Sequence, residues 1–193
     1  MKTKPNRTRA LVELKPYRLE GWGATMSGRD RGKEIREKVA KLIDAAPADR
    51  VLPVDFSSVR YLDFSCADEL FGKLLSRLAA DLAGRYLVLT GLLPTARENV
   101  DAALKLRKLA CVSRMSGGEA EVLGEPPPEL LETWKLARDR GALTVKDLVK
   151  EFDIATNAAS NRLAKLARLG LIAKVRTEGM ESGGRVFVYE CVR

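Results

Sequence analysis

Along residues 1–123, apolar positions alternate between short unbroken runs and stripes spaced at three and four. The runs at 50–55 and 85–90 are apolar through their centres and end on polar residues. Runs of that length predict buried strands, although Pro53 is a poor fit within one. The stripes predict helices. Over 30–45, Ile35, Val39, Leu42 and Ile43 share a face, with Glu34, Arg36, Glu37, Lys38 and Lys41 elsewhere. Over 66–83, Leu70, Phe71, Leu74, Leu75, Leu78 and Leu82 repeat at three and four, and Gly84 ends the pattern. Residues 94–109 open on a proline, which suits a first helical turn. Weak alternation predicts a strand at 10–14. Two more are expected at 110–115 and 119–123, around the turn Ser116-Gly117-Gly118. Strands and helices in this order build an α/β layer, with helices packed on a sheet.

The pattern changes at Gly124-Glu125-Pro126-Pro127-Pro128. Three consecutive prolines continue neither a helix nor a central strand, and they stiffen as polyproline II. Residues 124–128 therefore read as a linker between a domain at 1–123 and a smaller one at 129–193. In the second, residues 129–140 carry Leu130, Leu131, Trp134 and Ala137 or Arg138 along a helical face ending at Gly141. Thr144 is placed to cap a helix at 145–151. A third helix at 156–169 is closed by Gly170. Residues 171–178 and 185–192 alternate around a glycine-rich tip at 180–184, a hairpin pattern. The expected fold class is α/β, a mixed sheet with helices followed by a small α+β unit. Three helices and a hairpin are the plan of a winged helix.

Composition narrows the function. The chain has 193 residues, 46% hydrophobic and 31% charged, which predicts a globular protein with a core. Its 34 Lys and Arg against 26 Asp and Glu give a net charge of +8, which directs attention to nucleic acid or an acidic partner. From Asn157 onward there are seven Lys and Arg against three Asp and Glu. A second basic cluster, Lys2, Lys4, Arg7 and Arg9, lies in the N-terminal tail. The absence of His removes Ser-His-Asp and Cys-His catalysis, imidazole zinc sites and an imidazole pH switch. Cys66, Cys111 and Cys191 are far apart and form no CxxC pair, so they read as free thiols in a reducing cytoplasm, without a metal. The basic N-terminus lacks the apolar stretch of a signal peptide. The apolar run at 86–93 is far short of the ~20 residues that cross a bilayer, so no membrane is expected as a partner. Gly21, Gly23, Gly28 and Gly32 do not make a dinucleotide fingerprint. With no paired carboxylates and no nucleophile–base pair, neither an enzyme nor a cofactor is expected.

The third C-terminal helix divides cleanly. Ala159, Leu163 and Leu166 form a core stripe, and Asn157, Asn161, Ala164, Lys165 and Arg168 lie opposite, flanked by Ser160. Arg162 falls nearer the core border, where it suits a phosphate or a local pair. Asn reads adenine well, and Lys or Arg reads guanine or phosphate. Lys174, Arg176 and Arg185 add positive charge on the hairpin. Three stretches, 143–148, 158–163 and Lys165-Leu-Ala-Arg-Leu-Gly-Leu-Ile172, resemble the winged-helix regulators of the MarR and ArsR types over residues 129–193. That resemblance implies a recognition helix in the major groove of double-stranded DNA and a homodimer on a two-fold site.

Asp55-Phe-Ser-Ser-Val-Arg-Tyr-Leu-Asp-Phe-Ser-Cys-Ala-Asp-Glu-Leu70 is the other distinctive stretch. Ser65 reads as a helix N-cap, with Asp68 or Glu69 at capping-box distance. Asp63, Asp68 and Glu69 suit a helix start, where the dipole favours negative charge. Arg29 and Arg31 read either as a phosphate hold or as a solvated basic loop. The stretch resembles the STAS domain of anti-sigma-factor antagonists. It is closer still to a STAS-like family of unknown function whose signature contains Ser-Phe-Ala-Asp-Glu-Leu, here Ser65-Cys-Ala-Asp-Glu-Leu70. Ser27-Gly-Arg-Asp-Arg-Gly-Lys-Glu-Ile-Arg36 is a second matching piece, and the likeness covers residues 21–109. It implies an α/β sandwich whose helix start, at Asp63, Ser65, Asp68 and Glu69, meets a protein partner such as a histidine-kinase-like ATPase. It also implies Ser65 as a phosphoacceptor, although Phe64 stands where that turn has its first Ser, and Cys66-Ala67 where Gly-Leu is usual.

Two functions are expected from these parts. One is a cytoplasmic DNA-binding transcriptional regulator whose STAS-like domain receives a signal through a partner or phosphorylation. The alternative is an adaptor that binds no DNA and switches an ATPase, in a defence or mobile-element system.

Overall fold

The computed structural model describes residues 11–81, 84–115, 117–177 and 186–193. The basic tail, Leu82, Ser116, the hairpin tip at 180–184 and Arg185 lie outside the described residues. The architecture is mixed α/β. Its main sheet contains β1 (Val12–Glu13), β2 (Tyr17–Arg18), β4 (Arg50–Asp55), β6 (Arg85–Thr90), β7 (Ala110–Arg114) and β8 (Ala120–Gly124), while β3 (Thr25–Met26) and β5 (Tyr61–Leu62) form a separate parallel pair. Both β1 and β2 run parallel to β4, β4 to β6 and β6 to β7, and β8 closes the sheet antiparallel to β7.

Pro53 is accommodated by a gap in the neighbouring strand. Leu14 N–H donates to the Val51 carbonyl and Leu19 N–H to that of Asp55, so alternate residues of β4 face β1 and β2. Pro53 faces the same side, opposite the break between β1, paired as far as Val51, and β2, paired from Val54. Its missing N–H therefore costs no ladder bond.

Period-two alternation sends the strand residues to two different cores. Leu52, Val54, Leu87, Leu89, Cys111 and Leu123 meet the helices α1 (Arg29–Ala45), α3 (Lys73–Asp81) and α4 (Pro94–Leu106). Ahead of α3, the chain winds through α2 (Phe64–Ala67) and a π-helical turn, Asp68–Gly72. The buried stripe of α1 runs Gly32, Ile35, Val39 and Ile43. Leu42, expected in that stripe, lies at its edge and is 42% exposed.

On the other face, Val51, Tyr86, Val88, Ala110 and Val112 join one cluster with Leu130, Trp134, Leu163 and Ile172. The chain beyond the prolines thus covers the second face of the sheet. It consists of α5 (Pro128–Arg140), β9 (Ala142–Leu143), α6 (Val145–Phe152), α7 (Thr156–Arg168), β10 (Ile172–Thr177) and β11 (Val186–Cys191). The segment expected as a linker is shorter than 124–128, because Gly124 ends β8 and Pro128 begins α5. β10 and β11 pair antiparallel from Ile172 opposite Cys191 to Thr177 opposite Val186. The pattern missed β9, which adds to β11 through Leu143 opposite Tyr189 and is too short to show a period. Thr144 caps α6 in a full capping box, accepting from the Asp147 N–H while the Asp147 carboxylate accepts from the Thr144 N–H at 2.7 Å.

Side-chain bonds add to the contact between the two parts. Leu11 N–H donates to Glu190 Oε2 at 3.0 Å, and Arg114 Nη2 donates to the Arg193 carbonyl at 2.7 Å. At the exit from the sheet, Gly124 has φ +91°, and a Cβ there would lie 2.1 Å from the Leu109 carbonyl oxygen.

Candidate nucleic-acid interface and partner surface

Helix α7 follows α6 through Asp153, a non-glycine residue at φ 49° that turns the chain sharply. Ala159, Leu163 and Leu166 are fully buried, as the wheel requires. Asn157, Asn161, Ala164, Lys165 and Arg168 are exposed, and Ser160 is half-buried beside them. Residues 157, 161, 165 and 168 follow the spacing of one helical stripe, so their side chains leave the same face.

Arg162 is half-buried, with its guanidinium 5.3 Å from the centre of the Phe152 ring. That contact accounts for its place at the core border. Lys174 is exposed, its Nζ 3.8 Å from the centre of the Phe187 ring, itself 39% exposed. Arg176 lies in β10, and Arg185 is outside the described residues. Lys165, Arg168 and Lys174 form no ion pair with another described residue. This face therefore has cations and amides in reach of solvent, with no acid among the described residues ion-paired to them.

The helix-start surface differs from the sequence expectation. The N-cap of α2 is Asp63, and Ser65 is the helix's second residue, half-buried. Asp63 Oδ1 accepts from Cys66 N–H at 2.7 Å, and Oδ2 accepts from Gly28 N–H at 2.9 Å and from the Ser27 hydroxyl. One carboxylate thus caps α2 and pins the turn that leads into α1, a task a Ser hydroxyl is too short to perform. Burial alone would raise the Asp63 carboxyl, but hydrogen bonds from Ser27, Cys66, Gly28 and Ser65 outweigh it and hold it below the ordinary range.

Asp68 and Glu69 form no capping box either, because the π turn carries them inward, to 5% and 4% exposure. Asp68 is held bidentately by Arg107 at 2.5 and 3.0 Å. Glu69 meets Arg36 at 2.9 Å and Lys73 at 2.5 Å. Hydrogen bonds from Arg107 keep the Asp68 carboxyl low against its burial. Arg36, Lys73 and Arg107 were missed as partners. Only Glu69–Lys73, four residues apart on a helix, left a sequence signal. Helix α1 can approach this turn because Gly32 has no Cβ; one there would stand 2.7 Å from the Cys66 carbonyl oxygen. Arg31 is also engaged, donating to the Trp22 carbonyl at 2.6 Å and stacking 5.0 Å from its ring.

Two apolar side chains stand open at this end, Phe64 at 37% and Tyr61 on β5 at 45% exposure, and Ser27 and Arg29 are exposed as well. The Cys66 thiol is pushed up to about 12 by burial, with the Asp63 charge adding to it, so it stays a protonated, unreactive group.

The depressed carboxyls set an acid limit on stability. Their folded values lie below the unfolded one, so the stabilisation is complete above the unfolded pKa of about 4 and is lost as pH falls through the folded values. Urea midpoints are expected to stay level from about pH 7 to pH 5 and to fall below about pH 4. The double variant Asp63→Asn/Asp68→Asn should start lower and fall less. An equally steep fall in that variant would place the acid sensitivity elsewhere.

Among the described residues, no group of three or more Cys, Asp and Glu converges as a metal would require, and no helix is long and apolar enough to cross a membrane. A scan of protein-family models found no match to the chain, and a search of curated proteins found none.

Proposed function

We propose that the chain is a DNA-binding transcriptional regulator. In this reading α5, α6, α7 and the β10–β11 hairpin are a winged helix of the MarR and ArsR kind. The preceding α/β part is STAS-like and receives the signal from a protein partner. The observation that carries it is the outer face of α7, where Asn157, Asn161, Lys165 and Arg168 stand exposed and pair with no other described residue, while the opposite stripe is fully buried. Asn157 and Asn161 occupy the N-terminal half of the helix, the half that reaches base edges in helix-turn-helix complexes. Lys165 would add a guanine contact beside them, Arg168 and Lys174 would meet phosphates, and a dimer would place two such helices on a two-fold site.

Fluorescence anisotropy with labelled duplex tests this. With about four phosphate contacts per dimer, affinity should fall roughly a hundredfold between about 50 and 200 mM salt. No binding, or binding indifferent to salt, rejects the reading.

The exposed Phe64 and Tyr61 beside half-exposed Ser65 favour a second reading, in which this end docks a histidine-kinase-like ATPase with Ser65 as the phosphorylated switch. A phosphate there would add about −1.5 to −2 charges to a surface a partner could sense. That is the adaptor function, suited to a defence or mobile-element system, and it requires no DNA.

A further inference from the structure

A cleft of about 530 Å³ opens where the amino ends of β6 and β7 and the flank of α3 face the corner between α7 and β10. Small-molecule sites commonly occupy about 300–1,000 Å³. One wall is apolar, with Leu75, Leu78 and Ala79 of α3, and Ala164, Ala167 and Leu169 stand on the α7 side. Among the described residues, its charged groups are Arg85, Arg168 and Lys174 and one carboxylate, Asp49. Arg85 is held in place by donating Nε–H to the Ala46 carbonyl at 3.0 Å, and its terminal amino groups bond no other described residue. Arg168 forms no ion pair with a described residue.

Tyr86 and Tyr189 also line the cleft, 8% and 6% exposed, and neither hydroxyl bonds another described residue. Burial, with the Asp49 charge adding to it, pushes Tyr86 up to about 12, and burial also raises Tyr189. Both phenols therefore remain protonated and able to donate near neutral pH.

We propose that this cleft binds a small amphiphilic organic anion. Arg85, Arg168 and Lys174 hold its charged group, and its apolar body lies between α3 and α7. A hydrocarbon alone would offer these cations and phenols no acceptor, and a purely polar anion would leave the apolar wall wet. The site stands whether or not the chain binds DNA. Where both hold, ligand and duplex draw on the same Arg168 and Lys174.

The test is a fluorescence titration of the full chain with the aromatic sulfonate 8-anilinonaphthalene-1-sulfonate, beside its uncharged analogue N-phenyl-1-naphthylamine. One saturable sulfonate site per chain is expected, with the uncharged analogue about tenfold weaker. Arg85→Gln/Arg168→Gln should erase that difference. Ala164→Trp, at an exposed position, should fill the cleft and abolish binding while circular dichroism stays native. Equal affinity for the two probes, or sulfonate binding unchanged by Ala164→Trp, overturns the proposal. A failed DNA titration leaves each of these outcomes as it is, so the two readings fail separately.

Discussion

Gly124→Ala should destabilise the chain by about 4 kcal/mol, more than most single substitutions cost. Two effects add. The residue sits at φ +91°, a conformation that costs an L side chain on the order of 1–3 kcal/mol. The new Cβ would also fall 2.1 Å from the Leu109 carbonyl oxygen, with a second contact at 3.1 Å to Ala110 Cα. Both are backbone, so relief requires shifting the end of the β7–β8 ladder, where Ala110 pairs with Gly124. The Gly124 N–H bond to Asp101 Oδ1, 2.8 Å long, would be strained in the same movement. Thermal unfolding should move down on the order of 10 °C. Gly117→Ala in the same hairpin is the control: nothing stands within 4 Å of its added Cβ, and its midpoint should barely move. Equal midpoints for the two variants would show that the hairpin tolerates a Cβ at its exit.

The largest functional effect belongs to Asn157→Ala/Asn161→Ala/Lys165→Ala. All three positions are exposed, so the fold should be untouched. Specific sites bind such regulators about 10³-fold or more tighter than random duplex, and each good bidentate base contact supplies about 1–3 kcal/mol of that. The triple variant should therefore drop to the nonspecific level, about a thousandfold weaker on its own site, while keeping most of its affinity for random DNA. Asn161→Ala alone should relax the preference at one base pair. Lys174→Ala should weaken all sequences alike and flatten the salt dependence. If the triple variant weakens specific and random duplex equally, α7 is not the reading helix.

The clearest sequence signals were those carried by period. The stripe at Ala159, Leu163 and Leu166 and the runs at 50–55 and 85–90 gave α7, β4 and β6 with nearly their observed ends, because each repeats one spacing over several residues. Thr144 announced its cap by chemistry alone. The helix start at Asp63 was misplaced onto Ser65 because both side chains can cap. Only the tertiary fold brings Ser27 and Gly28 to Asp63 and so decides between them. Asp68 and Glu69 read as helix-start acids facing a partner for a related reason: the arginines that hold them, Arg36 and Arg107, come from distant parts of the chain. The cleft left no signal at all, since its walls are separated by about half the sequence. Unbroken apolar runs, unlike alternating ones, describe strands covered on both faces, and the first 123 residues supply helices for only one.

That covering has a consequence for how the chain is made. Residues 1–124 leave the ribosome before the helices that shield Val51, Tyr86, Val88, Ala110 and Val112 exist. At about 5–20 residues per second, the remainder takes several seconds to appear. During that interval the nascent sheet presents a bare greasy face, a natural client for a chaperone and a hazard for aggregation. A fragment truncated at Gly124 would stay in that condition permanently.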